Sequence, residues 1–413
     1  MTIIKGKFRI RLVYGCLATI LLLVFACHKE QEEHLTNEYL EYFSLSKVYT
    51  LSTIESVLTF QSEEYPDLAG IIENAKYGVQ VYKISYKTHY QDSLIIASGL
   101  VCLPMSEDKF PVISFQNGTN TDHDNAPSVN PENVGYMMLE FMASNGYIVL
   151  MTDYIGFGSS ADILHPYYNR VSTNNAVIDL IHAFNELSQL NEIPAVGNDT
   201  VYLMGYSQGG WATMSALDEI ENDDSGIKIA AASCGAGAYN LMTMSDYVLS
   251  LETFPGPLYL PYFIYSQQVY GNITDPLSKF FREPYAGRIP ELFNGSYGND
   301  EVNAQLTNSI PDLLTGDMIE NFASGSEFST LRDVLHENSL SGWNTSVKVN
   351  IYHGTMDEHV PPEQSAALYD DFISSGADPD LVHYFELNGL THGTGLLPWG
   401  ISTINWFNSL ENK

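Results

Sequence analysis

A serine between two glycines stands where the chain turns from a predicted strand into a predicted helix. The segment GYSQG at 205–209 follows the apolar run VYLM and precedes an amphipathic stretch at 211–220. A Gly-x-Ser-x-Gly turn in this context leaves the serine hydroxyl exposed at the edge of a sheet. The N-terminus of the following helix favours negative charge that develops there. The pattern predicts that Ser207 is a nucleophile.

A serine hydroxyl needs a general base to activate it, and the base needs an acid to orient it. Of the eleven histidines, His392 follows the last predicted strand, where the carboxyl edge of the sheet would bring it towards Ser207. Asp357 follows the preceding strand, and Glu358 beside it is the local alternative. The order Ser207, Asp357, His392 is the usual one for this type of site. We therefore expect these three residues to be catalytic.

Short apolar segments alternate with amphipathic ones over most of the chain, which predicts an α/β fold with a mostly parallel, doubly wound sheet. A further helix is indicated at 51–75. The predicted strands are 78–88, 94–103, 111–115, 147–151, 201–204, 227–232, 347–352 and 381–387, and the helices between or after them are 134–144, 174–190, 211–220, 362–375 and 397–410.

This alternation stops at 238–345, a stretch rich in Tyr, Phe, Pro and Asn. The predicted core is thus 47–237 followed by 346–413, and the insertion between the sixth and seventh strands is expected to be a helical cap or lid over the carboxyl edge of the sheet. Its aromatic side chains should mostly pack against each other, with a few facing a substrate. The aromatic residues considered are Tyr247, Phe254, Tyr259, Tyr262, Phe263, Tyr265, Phe280 and Phe281.

The N-terminus has the pattern of a targeting segment. Residues 1–26 are basic and then apolar, and they end in LVFA before Cys27, which resembles the lipobox of bacterial lipoproteins. The resemblance implies cleavage before Cys27, acylation of that cysteine, and anchoring to the bacterial cell envelope at the outer membrane. Residues 27–46 are predicted to be an acidic tether. Its start, Cys-His-Lys-Glu, also resembles the surface-export signal of some lipoproteins, so the periplasmic and outer faces both stay open.

Charge and cysteine content exclude several classes of protein. Eighteen Lys and Arg against fifty Asp and Glu give a net charge of −32, which would repel nucleic-acid phosphates and anionic lipid headgroups. Beyond Cys27, the remaining cysteines are Cys102 and Cys234. Cys102 lies on the second predicted strand and Cys234 just after the sixth, so we expect both thiols to be unpaired and expect no cysteine-based metal site.

From about residue 78 to the end, the chain resembles the α/β-hydrolase superfamily and, within it, the secretory lipase family. The supporting segments are SFQNGT at 114–119, TDYIGFG at 152–158, HPY at 165–167, the GYSQGG turn and the large insertion. Where relatives often have His-Gly after the third strand, this chain has Asn-Gly. The resemblance implies the strand order 1-2-4-3-5-6-7-8 and an oxyanion hole made by the backbone N–H groups of Thr119 and Gln208. It also implies that Asp153 is structural, and we expect His165 and His353 to be hydrogen-bonded structural residues.

The function that these residues predict is hydrolysis of a small-molecule or lipid ester through an acyl-enzyme, with no metal or organic cofactor. Two alternatives stay open. The same three side chains could serve a serine peptidase, although no added domain for gripping a peptide is evident. The chain could also be a non-catalytic surface-binding lipoprotein built on an inactive hydrolase scaffold.

Overall fold

A nine-stranded sheet organises the chain from Glu38 onward. The computed structural model describes residues 37–63, 65–190, 192–223 and 225–411. The predicted signal peptide at 1–26 and the predicted lipid-modified Cys27 lie outside these residues. The strands are β1 (Leu40–Tyr49), β2 (Val79–Tyr90), β3 (Ser93–Pro104), β4 (Lys109–Gln116), β5 (Ile148–Thr152), β6 (Val196–Tyr206), β7 (Ile229–Gly235), β8 (Lys348–Gly354) and β9 (Val382–Leu387).

The strand order is β1-β2-β3-β5-β4-β6-β7-β8-β9. Strands β1, β2, β3 and β5 pair in antiparallel fashion, and the pairs from β5 through β4 to β9 are parallel. Without β1, the remaining eight strands follow the order 1-2-4-3-5-6-7-8. The prediction of an α/β, mostly parallel sheet of the α/β-hydrolase type is confirmed, with one strand more than expected.

The structure differs from the expected acidic tether over residues 40–46, because this part belongs to β1. Strand β1 adds to the edge of the sheet by pairing with β2. The carboxylate of Glu186 accepts hydrogen bonds from the backbone N–H groups of Glu38, Tyr39 and Leu40 at the start of the strand. Most side chains of β1 are exposed or half-buried. Backbone hydrogen bonds therefore hold this edge strand in place. Because few of its side chains are buried, its sequence shows little hydrophobic pattern.

Helices cover both faces of the sheet. Two hydrophobic clusters result, one on each face. The predicted helix at 51–75 is divided in two around Pro66, which has no backbone N–H to donate. The helices on one face are α1 (Leu51–Ser62), α2 (Ala69–Asn74), α3 (Val134–Met142) and α14 (His392–Leu410), and those on the other are α4 (Arg170–Gln189), α5 (Gln208–Asn222) and α13 (Glu363–Ser374).

Seven helices lie between β7 and β8, in the stretch where the sequence predicts an insertion. Their apolar side chains join the cluster that also contains α4 and α5, so the insertion packs directly on the core. The free thiols of Cys102 on β3 and Cys234 on β7 are buried four strands apart, which confirms that they are unpaired. The helices are α6 (Leu241–Leu249), α7 (Tyr259–Tyr270), α8 (Tyr285–Leu292), α9 (Asn299–Gln305), α10 (Ile310–Leu313), α11 (Gly316–Asn321) and α12 (Ser329–Glu337).

Helix α3 carries a buried carboxyl group that should make stability depend on pH. Glu140 is 0% exposed, and its carboxyl group lies close to the side chains of Tyr49 and Lys47. Burial raises the pKa of Glu140 to about 7, although the nearby positive charge of Lys47 opposes the shift. Because the folded-state pKa lies above the unfolded value, wild-type stability falls as pH rises from about 4.5 to about 7.

Substitution Glu140→Gln removes this titration. We expect the variant to be more stable than wild type at pH 8, by about 3 kcal/mol in the free energy of unfolding, and the difference to vanish near pH 4. Urea unfolding at both pH values measures the effect. A stability difference that stays constant between pH 4 and pH 8 would contradict the assignment.

Candidate active site

Ser207 lies between the end of β6 and the start of α5 in a strained backbone conformation. Its φ and ψ are 60° and −124°, a combination that residues with a side chain rarely adopt. The turn requires both flanking glycines. A Cβ on Gly205 would lie 2.2 Å from the carbonyl oxygen of Gly209, and a Cβ on Gly209 would lie 2.0 Å from that of Gln116. Close backbone packing therefore accounts for the Gly-x-Ser-x-Gly spacing.

The strain at position 207 predicts a stability difference between two variants that both lack the hydroxyl. Ser207→Gly should be more stable than Ser207→Ala by about 1 kcal/mol, since glycine tolerates positive φ and this gain exceeds its larger loss of backbone entropy on folding. Chemical denaturation of the two variants side by side gives the difference. Equal or reversed stabilities would show that the turn stores no such strain.

His392 is the first residue of α14 and lies beside Ser207. Its Nε2 is 2.9 Å from Oγ of Ser207, and its Nδ1 is 2.7 Å from Oδ2 of Asp357. The hydroxyl of Tyr206 donates to the carbonyl oxygen of His392 at 2.8 Å and so helps to fix the start of the helix. Because the carboxylate can only accept, Nδ1 donates to it and Nε2 is free to accept the serine proton. The structure thus joins the three predicted side chains by hydrogen bonds.

Asp357 lies in the loop after β8 with its side chain fully buried. Its Oδ1 accepts the backbone N–H groups of His359 and Val360, both at 2.9 Å. Burial alone would raise the pKa of Asp357, but hydrogen bonds from His353 and His392 outweigh burial and hold it well below its usual range. The carboxylate is therefore ionised and positioned to stabilise a charged imidazole.

The neighbouring carboxylate, Glu358, points elsewhere. It is exposed, and its Oε2 lies 3.5 Å from the backbone nitrogen of His392. It makes no hydrogen bond to the His392 ring among the described residues. Of the two acidic residues that the sequence offered as candidates, Asp357 is the one that forms a hydrogen bond with Nδ1 of His392.

A second histidine also contacts Asp357. His353 is buried, and its Nε2 lies 3.2 Å from Oδ2 of Asp357 and 2.9 Å from the carbonyl oxygen of Val360. Its Nδ1 lies 2.7 Å from Oγ of Ser365 on α13. The sequence indicated a hydrogen-bonded structural role for His353 but not this contact with Asp357. In the sequence, this contact is indicated by nothing more than the i, i+4 spacing of His353 and Asp357. The contact forms because of the path that the loop takes after β8.

Thr119 and Gln208 flank the serine. Gln208 is the first residue of α5, and a Cβ on Gly118 would lie 3.8 Å from Cβ of Ser207, which places the loop containing Thr119 beside the serine. Within the described part of the chain, the backbone N–H groups of Thr119 and Gln208 have no hydrogen-bond acceptor. Two unpaired donors next to a nucleophile could stabilise a developing oxyanion.

Side chains around these two residues hold them in place. The Thr119 hydroxyl lies 2.7 Å from that of Tyr167. Nε2 of the Gln208 side chain lies 2.9 Å from Nε2 of His165, whose Nδ1 is 2.7 Å from the carbonyl oxygen of Ile155. Burial lowers the pKa of His165 to about 4, although the backbone hydrogen bond opposes the shift, so the ring is neutral at pH 7. Neutral His165 can donate to Ile155 and accept from Gln208.

Asp153 links strand β3 to the loop that contains Ser128. Its carboxylate accepts hydrogen bonds from the hydroxyls of Ser98 and Ser128 and from the backbone N–H of Ser128. Burial raises the pKa of Asp153, and these hydrogen bonds limit the shift. The contacts are those of a structural residue.

Ser207 lines two cavities, of about 70 Å³ and about 540 Å³. Among the eight aromatic residues considered from the sequence, Phe254, Tyr259 and Phe263 line the smaller cavity. Tyr262 instead stacks on Tyr167 at a ring distance of 4.4 Å. In the portion of the chain covered by the structure, no cluster of residues could hold a metal ion and no helix is long and apolar enough to span a bilayer.

Part of the chain resembles a known protein family. Residues 132–259 match the model of the secretory lipase family, a stretch that includes the GYSQG turn. No curated protein matches the chain.

Solved structures share the fold over most of the chain. A Legionella pneumophila protein, whose own description as a hydrolase is provisional, is 27% identical with a TM-score of 0.81, over 91% of this chain and 99% of that one. A ligand-bound form of the rice cell wall degrading esterase LipA from Xanthomonas oryzae is 24% identical with a TM-score of 0.76, over 90% and 97%. Candida antarctica lipase A in its closed state is 15% identical with a TM-score of 0.65, over 89% and 82%. The chain therefore has the α/β-hydrolase fold, and its residues 132–259 resemble the secretory lipase family.

Proposed function

We propose that this protein is a serine hydrolase that cleaves carboxylic esters, with Ser207 as nucleophile, His392 as general base and acid, and Asp357 as the orienting carboxylate. The observation that carries the proposal is the continuous set of hydrogen bonds from Ser207 Oγ through His392 to Asp357, at 2.9 and 2.7 Å. These separations are within the range that proton transfer requires.

In the first half of the reaction, His392 Nε2 takes the proton of Ser207 as Oγ attacks the ester carbonyl. The backbone N–H groups of Thr119 and Gln208 stabilise the oxyanion, and each donor is worth about 3 kcal/mol. His392 then donates its proton to the leaving alcohol oxygen, which leaves the acyl group on Ser207.

In the second half, His392 draws a proton from water as the water attacks the acyl-enzyme. The bond between the acyl carbon and Ser207 Oγ then breaks, His392 returns the proton to Oγ, and the acid product is released. Asp357 keeps the proton of the imidazole on Nδ1 throughout and stabilises the imidazolium that forms in both halves. The low pKa of Asp357 supports this role, because the carboxylate stays ionised at the pH of the reaction.

Ester and amide substrates of matched acid groups test the proposal. We expect wild-type protein to hydrolyse p-nitrophenyl esters and to leave peptide p-nitroanilides essentially uncleaved. Faster turnover of the peptide anilides would favour a serine peptidase. Absence of turnover on every ester, with the protein folded, would favour a non-catalytic binding protein.

We also propose that the mature chain is held at the bacterial outer membrane by lipid on Cys27. The support is the basic and apolar segment that ends in LVFA before this cysteine. Expression of the full chain in a bacterium with Cys27→Ser as the matched variant tests the anchor. Wild type should partition into the membrane fraction and carry acyl mass at Cys27, and the variant should do neither. Equal partitioning of the two proteins would refute the anchor.

A further inference from the structure

Three residues are shared by the two cavities beside the serine. Ser207, Thr119 and Tyr259 line both, so the space around the nucleophile divides at these side chains. The hydroxyl of Tyr259 lies 3.2 Å from Nδ1 of His359, a residue that lines only the smaller cavity. An ester bound at Ser207 would extend one part into each cavity, because its acyl carbon carries the acid chain and the alcohol oxygen as separate substituents.

The position of His392 determines which cavity takes the alcohol of the ester and which takes the acid chain. The general acid must reach the leaving oxygen, so the alcohol has to lie on the side of His392 Nε2. His392 and the residue after it, Gly393, line the larger cavity, and neither lines the smaller one. The alcohol therefore occupies the larger cavity and the acid chain the smaller one.

The smaller cavity is short and apolar. Its volume is about 70 Å³. Because one water-sized group needs roughly 10–15 Å³ of cavity volume, the cavity has room for about five to seven such groups. Helix α6 contributes Met244 and Val248, and α7 contributes Leu260 and Phe263. These side chains form part of an apolar wall, and the volume that the wall encloses is too small for a long fatty acyl chain.

The larger cavity, of about 540 Å³, has a mostly apolar lining with a smaller polar part. Helix α14 supplies Leu396, Leu397 and Trp399 to its wall, and α3 supplies Met138 and Met142. Its polar lining includes five asparagines, which are Asn117, Asn120, Asn125, Asn133 and Asn299. Among the described residues that line it there is no Lys, Arg, Asp or Glu, which disfavours a charged alcohol.

We propose that the substrates are esters of a short aliphatic acid, of about four to seven carbons, with a bulky, uncharged and largely apolar alcohol. The proposal rests on the ester hydrolysis proposed above and on the two unequal cavities that meet at Ser207. Apolar burial of the alcohol provides most of the binding, and the short cavity limits the acid.

Two substrate series separate the two parts of the ester. In the first, p-nitrophenyl esters keep the alcohol fixed while the acid grows from two to sixteen carbons; kcat/KM should peak at about four to seven carbons and fall at least tenfold by twelve. In the second, phenyl butanoate is compared with 4-cyclohexylphenyl butanoate, whose leaving groups have similar reactivity. The bulkier ester should have a kcat/KM at least tenfold higher.

Matched variants assign each preference to its cavity. Leu260 is only half-buried, so Leu260→Ala should deepen the smaller cavity without unfolding the protein and move the optimum about two carbons longer. Leu397→Trp should narrow the larger cavity, reduce the preference for the cyclohexylphenyl ester and leave the acyl optimum in place.

Different results would contradict the ester hydrolysis and the assignment of the two cavities. If no ester of either series is hydrolysed by folded wild type, the proposed function fails. If esters are hydrolysed but the optimum lies at twelve carbons or more, or if Leu397→Trp rather than Leu260→Ala moves it, the assignment of the two cavities is wrong while ester hydrolysis stands.

Discussion

Ser207→Ala should lower kcat on p-nitrophenyl butanoate by about 10⁴- to 10⁶-fold, because the variant has no atom to form the acyl-enzyme. The residual rate would come from the unpaired N–H donors and from binding. Alanine keeps the side-chain volume close to that of serine, so the protein should unfold at nearly the same denaturant concentration as wild type. Initial rates at saturating substrate, with unfolding curves of the same preparations, measure both effects.

A matched control for this loss is Ser250→Ala. Ser250 is an exposed residue after α6 whose hydroxyl donates to the carbonyl oxygen of Tyr247, and it lines neither cavity. Its substitution should leave kcat within about twofold of wild type. A Ser207→Ala variant that keeps more than about a tenth of wild-type kcat would mean that another group attacks the ester.

Asp357→Asn should lower kcat by about 10⁴-fold. An asparagine can present its NH₂ group to His392 Nδ1, which favours the tautomer with hydrogen on Nε2, and that nitrogen can then no longer accept the serine proton. Steady-state kinetics give the loss. Nitrogen chemical shifts of the His392 ring, compared between variant and wild type, report the change of tautomer.

Glu358→Gln is the matched control for Asp357→Asn. Glu358 is exposed and its carboxylate lies away from the His392 ring, so its substitution should change kcat less than about threefold. A larger loss in Glu358→Gln than in Asp357→Asn would transfer the orienting role to Glu358 and would contradict the geometry in the loop after β8.

The local part of the site could be predicted from the sequence. The Gly-x-Ser-x-Gly motif marks the turn in the sequence, although the steric need for Gly209 comes from the distant carbonyl oxygen of Gln116. The places of Asp357 and His392 followed from the strand order, because residues after neighbouring parallel strands meet at one edge. The buried runs of the central strands also indicated the sheet.

Other features depend on contacts that leave no sequence pattern. Strand β1 is held by backbone hydrogen bonds to β2 and by the distant carboxylate of Glu186, so its residues resemble a polar tether in sequence. The contact of His353 with Asp357 depends on how the loop after β8 folds back. The unequal sizes of the two cavities arise from packing between α6, α7 and the core, which composition does not specify.

In the proposed reaction, the Oγ atom of Ser207, activated by His392, attacks the ester carbonyl. The most direct test is treatment of the folded protein with a fluorophosphonate, followed by mass spectrometry of its peptides. We predict a single adduct on the peptide that contains Ser207, and much slower labelling in His392→Ala. A folded wild-type protein that takes up no label, or that carries the label on a different serine, would contradict the account.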